Sequence, residues 1–413
     1  MKTSEGGGRS DRRHDGLTKG RTLIFAIACG LAVANIYYAQ PLLDAMARDF
    51  GIDPAAIGLV VTLTQIGYAL GLIFIVPLGD LLDRRRLIAG QAVLSGIALL
   101  VVAGARTAGM LFAGMVAVGL LAVMIQLLVA FAATLAAPTE RGRAVGMVTS
   151  GVVIGILAAR FVSGVLADLG GWRAVYLSSA VLTLAMAGIL LRILPRQAPA
   201  GASEGYFAIL RSIPGLFLRD PLLLVRGVLA LLIFATFSSF WTALVLPLSA
   251  PPYSLSHSEI GLFGLVGVAG ALAAGGAGRL ADRGLGQWTT GLSLALLLAS
   301  WGLIMLLPLS IPALLLGVLL LDLAVQAVHV TNQSIIFALY PGARSRLVGG
   351  YMLFYSIGSA AGAIASTAAY AHAGWGGVSL LGASFSATAL IIWALTQAMG
   401  SSAALRSGTA GSG

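Results

Sequence analysis

Cysteine, lysine and acidic residues are scarce in this chain: one Cys, two Lys (Lys2 and Lys19) and 15 Asp or Glu in 413 residues. Cys29 lies in the first apolar run and has no partner in the sequence, which excludes a disulfide framework and a thiolate metal site. Charged residues make up only 10% of the chain, too few to cover the surface of a soluble domain of this size. No Gly-x-x-x-x-Gly-Lys-Ser/Thr loop occurs, so nothing supports a nucleotide-driven pump. An intramembrane enzyme is the rival of a different class, but His-Glu-x-x-His and paired intramembrane carboxylates are missing too. The chain is therefore not expected to be an enzyme or to need a cofactor or metal. The net charge of +10 is carried by arginines, most of them in short loops between apolar runs, a matter of topology and not a nucleic-acid footprint.

What is present is apolar sequence, 58% of the chain, together with 54 glycines. Runs long enough to cross a bilayer fall at about 22–43, 57–79, 87–105, 110–136, 144–168, 172–194, 222–247, 257–280, 288–309, 312–339, 347–371 and 375–399. The fold class expected is an all-α polytopic membrane protein with twelve transmembrane helices. The largest interruption, 195–221, is the expected linker between a six-helix bundle at 22–194 and another at 222–399. Residues 1–21 read as a disordered cytoplasmic tail and 400–413 as a second tail. The first run is too long for a signal peptide and is expected to be retained. Counted by side, Lys and Arg fall overwhelmingly on that of the termini and the Arg84-Arg85-Arg86 loop, and only Arg48, Arg106 and Arg173 fall on the other. That bias predicts cytoplasmic termini.

The halves repeat. Pro138-Thr-Glu-Arg141-Gly-Arg143-Ala-Val-Gly146 aligns with Pro341-Gly-Ala-Arg344-Ser-Arg346-Leu-Val-Gly349, Gly171-Trp172 with Gly374-Trp375, and Gly79-x-Leu81-Leu-Asp83-Arg84 with Gly278-x-Leu280-Ala-Asp282-Arg283. Two parallel six-helix repeats are a transporter architecture, with the substrate site between them near the midplane. On these motifs and the span count the chain resembles a major facilitator superfamily transporter from about residue 22 to 399. Its Ala34-Asn35-Ile36-Tyr37-Tyr38-Ala39-Gln40-Pro41-Leu42-Leu43 stretch is similar to a bacterial group of drug or small-molecule efflux permeases. The resemblance implies a gating loop at Gly79, Asp83 and Arg84, repeated at Gly278, Asp282 and Arg283, in which Asp83 latches the halves on the cytoplasmic side. Proton-coupled drug antiporters carry a Gly-Pro pair in the fifth helix, whereas here Ile156 follows Gly155.

The chemistry is expected on the tenth segment. Asp322, Gln326, His329 and Gln333, at i, i+4, i+7 and i+11, share one face of a helix at membrane depth. Asp322 is the one acid deep within a span, and such a group must face protein or water. Arg160 in the fifth segment and Asp322 lie eight and ten residues from the same membrane face, about 12 to 15 Å deep at 1.5 Å per residue. The two are expected level across the cavity, paired directly or bridged by water, substrate or the Asn35/Tyr38 group. Burial favours a neutral carboxyl and a nearby arginine an ionised one, so a cycle changing their separation would take up and release a proton. His329, about two turns away, would pass it on. Gln126 occupies the repeat position of His329. A mixed pocket is expected from Asn35, Tyr38, Gln65, Gln126, Thr236, Phe240, Gln326, Gln333 and Tyr355, suited to an amphiphilic organic solute. Gly151, Gly155 and Ala159 form a packing face in the fifth segment, and Gly261, Gly264, Gly267 and Gly270 a sliding surface between halves in the eighth.

These readings converge on a monomeric bacterial inner-membrane secondary transporter, its partners being a small-molecule substrate, protons and the lipid bilayer and not nucleic acid. Proton-coupled efflux of amphiphilic compounds or drugs is the expectation that the resemblance favours. The alternative is proton-coupled uptake of an organic anion, with Arg160 binding its carboxylate.

Overall fold

The computed structural model describes residues 18–137, 140–195, 206, 215, 217–274, 277–339 and 344–409, which are predominantly helical, joined by short turns, with no strand among them. Taken in chain order the membrane helices are α1 (Lys19–Tyr37), α2 (Leu59–Phe74), α3 (Arg84–Ala103) and α4 (Ala108–Ala122, continued by Met124–Leu135). The rod Arg141–Ile193 breaks at Gly171 into α5 (141–170) and α6 (172–193). Then come α7 (Pro221–Ala243), α8 (His257–Ala273), α9 (Gly286–Met305) and α10 (Ile311–Leu339), and a last rod, Arg344–Thr409, breaks at Ala373 and Gly374 into α11 (344–372) and α12 (375–409). Eight helices among the described residues are long and apolar enough to cross a membrane, two of them being the broken rods, and Leu59–Phe74 and His257–Leu272 are shorter apolar helices. The arrangement accords with twelve passes. Most of the expected linker, and the tail before Thr18, lie outside the described residues; Thr18 caps α1 by accepting from Arg21 N–H.

The repeat anchors have physical causes. Gly171 and Gly374 sit at φ 76° and 59°, a left-handed backbone that glycine adopts without strain, so each rod turns back on itself there. The tryptophan after each is buried and pins the turn: Trp172 Nε1 donates to Asp49 Oδ2 at 3.0 Å, and Trp375 Nε1 to the Ile304 carbonyl at 2.8 Å. Helix pairing repeats as well. In the first half α1 packs on α5, α2 on α4 and α3 on α6; in the second α7 packs on α11, α8 on α10 and α9 on α12. Small residues let the backbones touch, as expected for Gly151 and Gly155, whose added side chains would meet the backbone of Ala26 and Gly30 in α1.

The halves meet along α5 with α8 and α2 with α11. Near the end of the molecule that bears Asp168 and His257, here the far end, these seams close tightly. A Cβ on Gly164 would fall 2.2 Å from the His257 carbonyl, and one on Gly58 2.5 Å from that of Ala363. Thr62 Oγ1 donates to the Ala360 carbonyl at 2.8 Å, and Thr367 Oγ1 to the Ala55 carbonyl at 2.9 Å. The four glycines of α8 do not form one sliding face. Gly261 lies against α5 of the other half, but Gly267 and Gly270 face α10 of their own, because a step of three residues rotates about 60° short of a full turn.

Candidate transport site

Arg160 and Asp322 come to the same level, as their depths in the sequence imply, and both are nearly inaccessible, at 3% and 5% exposure. They form no direct ion pair; Trp241 of α7 stands between them. The Arg160 guanidinium lies 3.9 Å from the centroid of the Trp241 ring, and Trp241 Nε1 donates to Asp322 Oδ1 at 3.2 Å. Tyr37 and Phe237 complete an aromatic cage at 5.2 and 5.4 Å from the guanidinium. Arg160 Nε donates to Gln40 Oε1 at 2.9 Å, with Gln40 held in a one-turn helix by Pro41. Its Nη2 has no partner. A desolvated cation over a tryptophan face gains about 2 kcal/mol, which offsets part of the cost of burying the guanidinium. Arg160, Tyr37 and Gln40 belong to the first half and Trp241, Phe237 and Asp322 to the second, so this one stack couples the halves. On its far side a cavity of about 10 Å³, lined by Gln40, Pro41, Arg160, Trp241, Leu244, Val245 and Ile260, has room for about one water.

Asp322 fits its place because Gly267 leaves room for it: a Cβ there would fall 1.9 Å from Asp322 Oδ2. Gly267→Ala is therefore expected to push the carboxylate off Trp241 and to destabilise the chain by about 1 to 3 kcal/mol, read as a lowered melting temperature in detergent. An unchanged melt and unchanged transport would contradict this packing.

Several expected cavity residues turn out to belong to the interior of their own half. Asn35 and Tyr38 both point to Ser179 of α6 and so do not bridge Arg160 and Asp322; the neighbouring Tyr37 faces the arginine. Thr236 faces Ser386 of α12, and Phe240 is buried among Trp241, Trp301 and Trp375, whereas Phe237 and Trp241 look into the interface. In both α1 and α7 the face turned to the Arg160 stack is one residue away from the expected one, a rotation of about 100° that uniformly apolar helices leave unmarked. Tyr355 does cross the interface: its hydroxyl meets those of Tyr37 and, by side chain, Gln65, and its ring meets Tyr68, which accepts from Gln126 Nε2 at 3.1 Å. Gln326 and Gln333 are half-buried. His329 places Nδ1 3.1 Å from the Tyr351 hydroxyl and its ring against Phe234, so the structure does not bring it to Asp322.

Of the gating loop, Asp83 caps α3 by accepting from Arg85 N–H at 2.8 Å, while Arg84 Nε donates to the Gly79 carbonyl and Nη1 to Thr134, both at 2.9 Å. All of these partners lie in the first half, so the expected latch between halves is not engaged here by Asp83. Its end of the helix is stabilised instead, because a free N–H at a helix start is satisfied most simply by the nearest side-chain oxygen. The surroundings of Gly278 and the side chain of Asp282 lie outside what is described; Arg283 follows in a turn closed by Gly284 at φ 82°. Sequence reasoning overlooked Gln40, Tyr37, Phe237 and His257. The signals available were the Gln-Pro pair at the end of α1 and a histidine at the start of α8.

A family model described as Major Facilitator Superfamily matches residues 25–323 and 228–409. The uncharacterized transporter YgaY of Escherichia coli O157:H7 is 46% identical over 371 residues, covering 90% of this chain and 94% of that one. A bacterial homolog to the human lysosomal transporter Spinster, solved inward-facing and unoccupied, shares the fold at a TM-score of 0.74 and 16% identity over 93% of this chain and 97% of that one. The human organic anion transporter MFSD10 (TETRAN) does so at 0.66 and 18% over 91% and 100%.

Proposed function

From the premise that this chain belongs to the major facilitator superfamily and is a multi-pass membrane transporter, we propose that it exports small amphiphilic organic compounds in exchange for protons by alternating access. The observation that carries this reading is the Arg160–Trp241–Asp322 stack. Rocking of one half against the other peels the guanidinium from the indole and changes the field at Asp322, the condition for taking up or releasing a proton there. The surrounding tyrosines, phenylalanine and amides suit a solute with apolar and polar parts. Charge bias supports a bacterial inner membrane with both termini in the cytoplasm, the Arg84–Arg86 loop on that side and the far end outside. His329, bonded to Tyr351, is left to orient the interface between α10 and α11. Gln126, Gln326, Gln333 and Tyr355 are the residues proposed to meet the solute first.

The free Nη2 of Arg160 favours a second reading, uptake of an organic anion whose carboxylate takes that donor. A solute screen in proteoliposomes with and without a pH gradient tests the proposal. Accumulation against a gradient of a drug-like cation or neutral amphiphile, driven by protons, supports export, and a carboxylate preference supports uptake. Chemical conversion of a solute, or transport indifferent to the pH gradient, overturns both.

A further inference from the structure

At the far end, 97 residues beyond Arg160 in sequence, His257 opens α8 and stands between two carboxylates of the other half. Its Nε2 is 3.1 Å from Asp44 Oδ1, and its Nδ1 is 3.2 Å from Asp168 Oδ1. Asp168 also accepts from the backbone N–H groups of His257 and Ser258 at 3.1 and 2.8 Å and from the Ser258 hydroxyl, so one side chain of α5 caps the first turn of α8 across the interface. The remaining charged groups about the ring are Arg48, whose Nη2 is 2.9 Å from Asp44 Oδ2, and Glu259, which is turned back to Ser256 within its own capping box.

A neutral imidazole has one N–H, yet both ring nitrogens here face carboxylate oxygens. Both contacts are satisfied only when the trio holds one titratable proton, whether it resides on the ring or on a carboxylate. Charge points the same way: Arg48, Asp44, Asp168 and Glu259 sum to two negative charges, one of which a proton on the trio cancels. The trio joins the halves, because Asp44 and Asp168 come from the first and His257 from the second.

We propose that His257, with Asp44 and Asp168, is a second proton-binding site, filled when the far end closes and emptied when it opens. Acid therefore favours the closed far end, in the range near neutrality where histidine titrates. The consequence for transport rests on the alternating-access reading above; the proton site itself does not. It sets the direction in which external acid biases the cycle, independently of Asp322.

The test uses the full chain in lipid nanodiscs, with Cys29→Ser and spin labels at Arg106→Cys and Leu309→Cys, one on each half outside the latch. Between pH 8 and pH 5 the population with the short inter-label distance should grow, by up to about tenfold per pH unit for one linked proton. His257→Gln should flatten that response, and Asp44→Asn, which removes the charge facing Nε2, should flatten it by a separate route; each is used only if it elutes as the folded monomeric peak. Asp322→Asn removes whatever share the central site contributes and should leave a pH response that adding His257→Gln abolishes, which separates this site from the transport mechanism. A parent protein with no pH response, or a response unchanged in the folded latch variants, overturns the proposal. Loss of the response in Asp322→Asn alone assigns the proton to the central site and overturns it as well.

Discussion

Asp322→Asn is expected to abolish transport driven by a pH gradient, by on the order of 100-fold in initial rate, while solute exchange at equal pH persists. Its carboxyl is buried at the interface of the halves beside the Arg160–Trp241 stack, and asparagine has its size and can still accept from Trp241 Nε1. What asparagine cannot do is change charge as Arg160 approaches and withdraws. Arg160 itself keeps its Gln40 hydrogen bond and its seat on the Trp241 ring, so the fold should survive. Proteoliposomes loaded with solute on both sides separate the two activities. Full pH-driven accumulation in this variant would remove Asp322 from the coupling mechanism, and loss of exchange together with the driven rate would assign it to solute binding instead.

Arg160→Met should have the largest effect on stability. It removes the guanidinium but leaves Asp322 in an apolar, nearly inaccessible place with one indole N–H for company. Breaking a buried charge interaction from one side costs about 3 to 5 kcal/mol, chiefly because the other charge stays behind. Here that upper range is tempered, since Trp241 separates the two groups and methionine still fills the aromatic cage. The decisive comparison is the double variant Arg160→Met with Asp322→Asn. With no charge left to strand, it should recover most of the melting temperature lost in Arg160→Met while remaining inactive in driven transport. A double variant no more stable than Arg160→Met would mean that Arg160 supports the fold through its stacking alone and does not compensate Asp322.

Both predictions turn on Trp241, and this is where reading from the sequence reached its limit. The level of Arg160 and Asp322 followed from counting residues to the membrane face, because a helix rises by a fixed amount per residue. Which residues filled the space between them did not follow. In α7 the run Phe237-Ser-Ser-Phe240-Trp241 is apolar or small all round, and in α1 Tyr37 and Tyr38 are adjacent and chemically alike. Periodicity marks a face only where polarity alternates, so the choice of Tyr38 and Phe240 over Tyr37 and Trp241 had nothing in the sequence to correct it. Asp322, standing alone as a charge in its helix, needed no such correction.

The sequence by itself determined the membrane class, the boundaries between segments at Gly171 and Gly374, the twofold repeat and the placing of Asp322 and Arg160 at equal depth. These properties are local: hydropathy, chain length per turn and a glycine at a left-handed position each act over a few residues. Tertiary structure alone decided that an indole joins Arg160 to Asp322 and that His257 sits between Asp44 and Asp168. Each of these depends on the rotation of a helix about its axis and on contacts between segments up to 213 positions apart. A membrane interior rewards apolar surface equally on every side, so rotation there is set by packing against neighbours.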